Sequence, residues 1–122
     1  MGLGGGGLSA TLRDNGPFGL PVVNDGVVNG KGIVPRGRFN GAGSAQGNRG
    51  KPVDYGYTWW PLPAGDPIHE DAFEARGIFG QLVYINRREQ LVILVLSARP
   101  KPTGMNVISD EAFFGPVIRA LR

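Results

Sequence analysis

Residues 91–96, Leu-Val-Ile-Leu-Val-Leu, form an unbroken apolar run near the C-terminus. A strand with water on one face alternates apolar and polar residues, whereas a strand that is apolar throughout is covered on both faces. Whatever this chain folds into must therefore place cover on each side of that run. Ser109 can cap a helix over the segment that begins Asp-Glu-Ala-Phe-Phe, with acidic residues in its first turn and Arg119 and Arg122 in its last. That helix supplies one cover, with a kink expected at Gly115-Pro116. The rest of the chain offers no second cover of comparable strength. A sheet of two or three strands is also marginal by itself. The run thus predicts that a partner, or a longer parent chain, supplies what is missing.

The run returns from an earlier strand. "EARGIFGQLVYIN", residues 74–86, alternates, with Ile78, Gly80, Leu82 and Tyr84 on one side and Phe79, Gln81, Val83 and Ile85 on the other. "NRRE" is the reverse connection, so the two segments are predicted to form an antiparallel hairpin. "YGYTWW", residues 55–60, reads as a short strand ended by Pro61 and Pro63, and "PAGDPIHEDAF" as a loop. Upstream the signals thin out. Ser9 can cap a short helix bearing Leu8 and Leu12, halted at Asn15-Gly16-Pro17. "NDGVVNGKGIVP" reads as two short strands around turns at Asp25-Gly26 and Asn29-Gly30. "RGRFNGAGSAQGNRGKP" is a loop with little to bury. Fifteen of the 21 glycines lie in residues 1–50. The chain therefore divides into a loosely ordered, glycine-rich segment over 1–54 and a sheet hairpin plus helix over 55–122.

Several functional classes fall away on composition. There are no cysteines, which removes disulfides and thiolate metal sites. The lone histidine, His69, has no second histidine with which to share a metal, and its charged loop suggests a solvated surface position. No cofactor is expected. The net charge of +3 comes from 13 basic and 10 acidic residues, and the arginines of the first half are scattered among glycines instead of gathered into a patch, so no nucleic-acid partner is expected. No apolar run approaches the roughly 18 residues of a membrane span. The start, "MGLGGGGLSATL", lacks a basic region and an apolar core, so no signal peptide is expected and the chain would be cytoplasmic if expressed as it stands.

Residues 75–102, "ARGIFGQLVYINRREQLVILVLSARPKP", resemble the late sheet hairpin of serine hydrolases with the β-lactamase/penicillin-binding-protein fold. The resemblance is strongest to the esterase-like branch that includes 6-aminohexanoate-dimer (nylon-oligomer) hydrolase. "GGGLSATLRD" (5–14), "NDGVVNGKGIVP" (24–35) and "YGYTWW" (55–60) match the same C-terminal third in order and spacing. The resemblance implies an α+β class: a partial antiparallel sheet with a C-terminal helix, a fragment of the β-lactamase/transpeptidase-like fold. It also implies departures. An uninterrupted helix is expected where Pro17 and Pro21 stand, and each proline costs about 3 kcal/mol inside a helix.

The chemistry of that family uses a nucleophilic serine followed by lysine at the third position, so that the amine assists removal of the hydroxyl proton. The serines here, at 9, 44, 97 and 109, have no lysine at that spacing. The isolated chain is therefore expected to be inactive. Tyr84-Ile85-Asn86 has the spelling of a relay motif but falls at the hairpin tip. The family's Lys-Thr/Ser-Gly or His-x-Gly strand element aligns with Ala75-Arg76-Gly77, in which Ala75 replaces the charged residue. Gly77 is retained, and the backbone N–H of Ile78 would match the strand donor of the oxyanion hole. Gly77 and Gly80 could equally relieve crowding in a strand. Tyr57, Trp59 and Trp60 are candidates for the walls of a substrate cleft, or core aromatics. Gln81 could bond near the site or merely satisfy its strand neighbours. Residues 101–104, Lys-Pro-Thr-Gly, look like the lysine element but follow the strand, as a plain loop would.

The resemblance implies a small amide or ester substrate in the intact parent enzyme. A second reading, from the uncovered face and the unpaired sheet edge, is a non-catalytic binding or assembly module completed by a partner strand or by self-association.

Overall fold

A computed structural model describes residues 10–42, 46–48, 51–53, 55–56, 58–62, 65–104 and 109–122. Helix α1 spans Leu12–Val23. Its cap is Thr11, whose side chain accepts from the Asp14 amide while the Asp14 carboxylate takes the Thr11 N–H, a capping box. Ser9, expected as the cap, lies outside the described residues. The expected stop at Asn15-Gly16-Pro17 does not occur, and the helix runs through Pro17 and Pro21. The two prolines leave the carbonyls of residues 13 and 17 without helical donors, and both residues are exposed, where water can serve. On the other side Gly19, Val22 and Val23 are buried. Each buried valine contributes on the order of 1.5–3 kcal/mol, which offsets the prolines.

Strands β1 (Val27–Val28) and β2 (Lys31–Gly32) pair around Asn29-Gly30, both with positive φ, as an I′ turn requires. Strands β3 (Gln46–Asn48) and β4 (Lys51–Val53) form a second small hairpin, in a stretch whose composition read as loop. The main sheet is an antiparallel meander of β5 (Trp60–Pro61), β6 (Ala72–Arg76), β7 (Leu82–Asn86) and β8 (Leu91–Val95), hydrogen-bonded in that order. Helix α2 spans Asp110–Leu121, with Ser109 accepting from the Ala112 amide. The class is α+β, with antiparallel sheets and a C-terminal helix.

One continuous strand over 74–86 is not what forms. β6 and β7 are two strands of a hairpin in which Arg76 faces Leu82, and a 3-10 turn at Ile78–Gly80 reverses the chain. Phe79 (φ 58°) and Gly80 (φ 81°) both occupy the left-handed region. A non-glycine residue is disfavoured there by roughly 1–2 kcal/mol. The turn is held by Gly77 N–H to Gln81 O at 2.9 Å, and by two bonds to the segment after β8: Phe79 N–H to Pro102 O and Arg99 N–H to Phe79 O, both 3.0 Å.

The sheet carries a core on each face. Phe73 and Ile85, with Val83 and Val92, pack against Val22 and Val23 of α1, joined by Trp59 and Ala42. On the opposite face Ala72, Leu82 and Tyr84, with Leu91, Ile93 and Val95, pack against Phe114 and Ile118 of α2. This corrects the expectation that one side of the apolar run lacks cover within the chain. α1 lies over β8, closely enough that the Val92 methyls occupy the space a Cβ on Gly19 would need. Among the described residues, no further strand pairs with either end strand of the sheet, β5 or β8, and the five residues of β8 are each half-buried.

Candidate functional site

At the end of the sheet where Arg76 faces Leu82 and Leu82 faces Val95, four pieces of chain converge: the end of β6, the turn at 77–81, the segment at 99–104 and the start of α2. They enclose a cleft of about 220 Å³ lined by Arg76, Gly77, Gly80, Gln81, Leu82, Arg99 and residues 101–104, with Asp110 at one side. Bonds across the sheet end fix its shape. The Ser97 hydroxyl lies 2.9 Å from Phe79 O and 2.8 Å from Gly80 O. The Gln81 amide donates to Ser97 O. Gly80 suits this position: its φ is 81°, and a Cβ would meet Ser97 Oγ and the Arg99 side chain lying across it, which would have to shift.

The charges around the cleft are tethered. Arg99 Nη2 lies 3.0 and 3.3 Å from the two Asp110 oxygens. Arg76 Nε meets Glu74 Oε2 at 2.5 Å, and the Glu74 side chain is wholly buried behind the wall. Lys101 is exposed and has no ion-pair partner among the described residues.

Of the residues singled out from sequence, the structure brings Gly77 and Gln81 together in the cleft wall. Ile78 follows at the head of the turn with its side chain 60% exposed, outside the lining. Trp59 and Trp60 point to opposite faces. Trp59 is buried edge-on against Phe73, with centroids 4.9 Å apart, and Trp60 sits on the surface against Tyr55 at 4.7 Å. Neither lines the cleft. Tyr57 lies outside the described residues. Sequence reasoning passed over Arg99, named Arg76 only as the middle residue of the aligned strand element, and read residues 101–104 as a plain loop, whereas all of them line the cleft. The available signal was the glycine pair at 77 and 80, which interrupts an alternating pattern and marks a turn that a later loop can cover.

A second polar group lies at the other end of the sheet. Tyr84 and Asn86 are both fully buried in β7. The Tyr84 hydroxyl accepts from Asn86 Nδ2 at 3.0 Å and pairs with His69 Nδ1 at 2.9 Å. Asn86 also donates to Ile68 O at 2.8 Å and accepts from the Glu89 amide at 2.9 Å. Burial pushes the Tyr84 phenol above its ordinary pKa, against the lowering effect of the Asn86 bond. His69 is thus half-buried and packed edge-on to Tyr84, not solvated as its loop composition suggested. The network ties the Pro67–His69 turn to the sheet. It sits at the opposite end from Ser97, so the lone histidine and that serine cannot act as a pair.

Among the described residues, no group of three or more His, Asp or Glu could hold a metal ion, and no helix is long and apolar enough to cross a membrane. Comparison of the chain with protein-family models and with curated proteins finds no match in either.

Proposed function

We propose that this chain is the C-terminal portion of a β-lactamase-related serine hydrolase acting on a small amide or ester. In this reading it contributes part of the site's wall and not the nucleophile. A serine elsewhere in the parent protein attacks the carbonyl, its proton passing to a lysine one helical turn on. The leaving amine or alcohol takes a proton, and water then releases the acyl group from the serine. The Ile78 N–H would donate to the oxyanion, with Gly77 leaving room for the substrate to approach.

The observation that carries this reading is the position of Gly77. It follows directly on β6, at the head of the 78–80 turn, and lines the cleft, with the Ile78 amide next in the chain. The motif series at 5–14, 24–35, 55–60 and 75–102 supports it. Purified 122-residue protein should turn over p-nitrophenyl esters no faster than buffer and should resist labelling by a fluorophosphonate probe. Clear turnover or labelling would refute the division of labour. An in-frame Ser-x-x-Lys is expected in the coding sequence upstream of Met1, and its absence would remove the parentage.

The edge of β8 favours a second reading, a module that binds by strand addition. Its five residues carry no charge, proline or glycine to discourage pairing. Size-exclusion chromatography discriminates: a dimer is expected on this reading, and a monomer that melts cooperatively tells against it.

A further inference from the structure

We propose that the outward face of α2 is an interface between two copies of this chain, which pair there as an antiparallel, twofold-symmetric dimer. The inference stands apart from both readings above, since it needs no parent enzyme and uses a surface other than the edge of β8.

Helix α2 carries two apolar stripes. Phe114 and Ile118 are buried against the sheet. Phe113, Pro116, Val117, Ala120 and Leu121 follow the i, i+3, i+4, i+7, i+8 spacing of a second stripe on the side turned away from it. Val117 is half-buried and the other four are exposed, Phe113 by 55% and Leu121 by 68%. The charged side chains of the helix do not interrupt this stripe. Asp110 pairs with Arg99, Arg119 with Asp66 and Arg122 with Glu89, all within the chain. A helix that is apolar on both sides belongs to an interior, and an uncovered apolar face of this kind marks an association site.

The face is complementary to itself. Phe113 and Ala120 are seven positions apart, about two helical turns, so they lie on one line along the helix. The midpoint falls between Pro116 and Val117. A twofold axis there sets Phe113, the largest residue of the stripe, opposite the partner's Ala120, the smallest, and does so twice. The same arrangement opposes the two helix dipoles. It also brings the first turn of one copy, with Asp110, beside the last turn of the other, where the Arg119 and Arg122 side chains are each 56% exposed. A parallel pair would instead set Phe113 against Phe113 and like charges together. The 12 residues of α2 offer ~18 Å of contact, which places the interface in the small, transient class.

The test is sedimentation equilibrium of the full chain from about 10 μM to about 1 mM, the range of a weak dimer. Reversible dimerisation is expected. Phe113→Glu should raise the dissociation constant at least about tenfold, as loss of an interface anchor does. Ala120→Phe should weaken pairing by setting two aromatic rings against each other. Combining Phe113→Ala with Ala120→Phe exchanges large and small and should restore the parent's affinity. Both positions are exposed, so far-UV circular dichroism and thermal melts of every variant should match the parent. A monomer throughout the range would overturn the proposal and leave this face to a different chain. A dimer that survives Phe113→Glu would overturn it in favour of the β8 edge. Failure of the exchange to restore pairing would overturn the antiparallel register.

Discussion

Replacing Gly19 with alanine tests whether α1 lies on β8 as closely as described. In a solvent-exposed helix interior, Gly→Ala stabilises by about 1 kcal/mol. Here the added Cβ would fall 2.5 Å from Val92 Cγ1 and 2.7 Å from Val92 Cγ2. Carbon atoms pack at about 3.5–4.0 Å, so the methyl arrives about 1 Å too close to two others. Overpacking of this kind costs about 1–3 kcal/mol. Taking 2 as the middle of that range, Gly19→Ala should destabilise the protein by about 1 kcal/mol net. In a Val92→Ala background both γ-methyls are gone and the new Cβ occupies the space they leave. There the same substitution should stabilise by about 1 kcal/mol, a coupling of about 2 kcal/mol between the sites, within the range for residues in contact. Urea unfolding of the four proteins, followed by tryptophan fluorescence and far-UV circular dichroism, measures the cycle. Equal stabilisation by Gly19→Ala in both backgrounds would show that the helix does not rest on this strand.

Tyr84→Phe removes the hydroxyl that Asn86 and His69 share, leaving the buried Asn86 and the half-buried His69 each short of a partner, and should cost about 1–2 kcal/mol in the same unfolding assay; an unchanged midpoint would refute the network. Among the described residues, Asp14 is held below the ordinary carboxyl range chiefly by the Thr11 hydroxyl, Asp66 by the Ile68 amide and Glu89 by Arg122. Their unfolded forms bind protons more readily than their folded forms, so their contribution is complete at neutral pH. It should disappear as pH falls below about 4, and a melting temperature that stays flat or rises from pH 5 to pH 2 would contradict this sign.

The parts of the fold that sequence made legible are those governed by local chemistry. The β7–β8 hairpin follows from the apolar pattern on either side of residues 87–90, the β1–β2 hairpin from Asn29-Gly30, and α2 from its Ser109 cap. Where burial decided the outcome, local rules misled. Pro17 and Pro21 should have ended α1, but Gly19, Val22 and Val23 bury against the sheet and the freed carbonyls face outward. Alternation showed that Trp59 and Trp60 face opposite ways. Only the packing of Phe73 revealed which of them belongs to the core. The cleft was the least legible feature, because it depends on the chain after β8 folding back over the β6–β7 turn through bonds between Phe79 and residues 99 and 102. No short window of sequence contains both halves of that contact.

The apolar run on β8 imposes a weaker demand than its composition suggests. Two helices of the same chain meet the requirement for cover on both faces, so no further layer is needed for the strand to be stable. The openness moves from the faces to the edges, and the two differ physically. An uncovered face leaves apolar area in water, at roughly 25 cal/mol per Å². An open edge leaves backbone N–H and C=O groups that water can satisfy, so a protein can carry it as a monomer. Had a face been bare, a partner would have been obligatory. With the faces covered and only sheet edges unpaired among the described residues, pairing at β8 is optional for folding, and any strand that adds there must be recognised for its own sequence. The hydrolase reading therefore draws its support from the motif series and from Gly77 at the cleft, and it no longer needs missing layers to account for the strand.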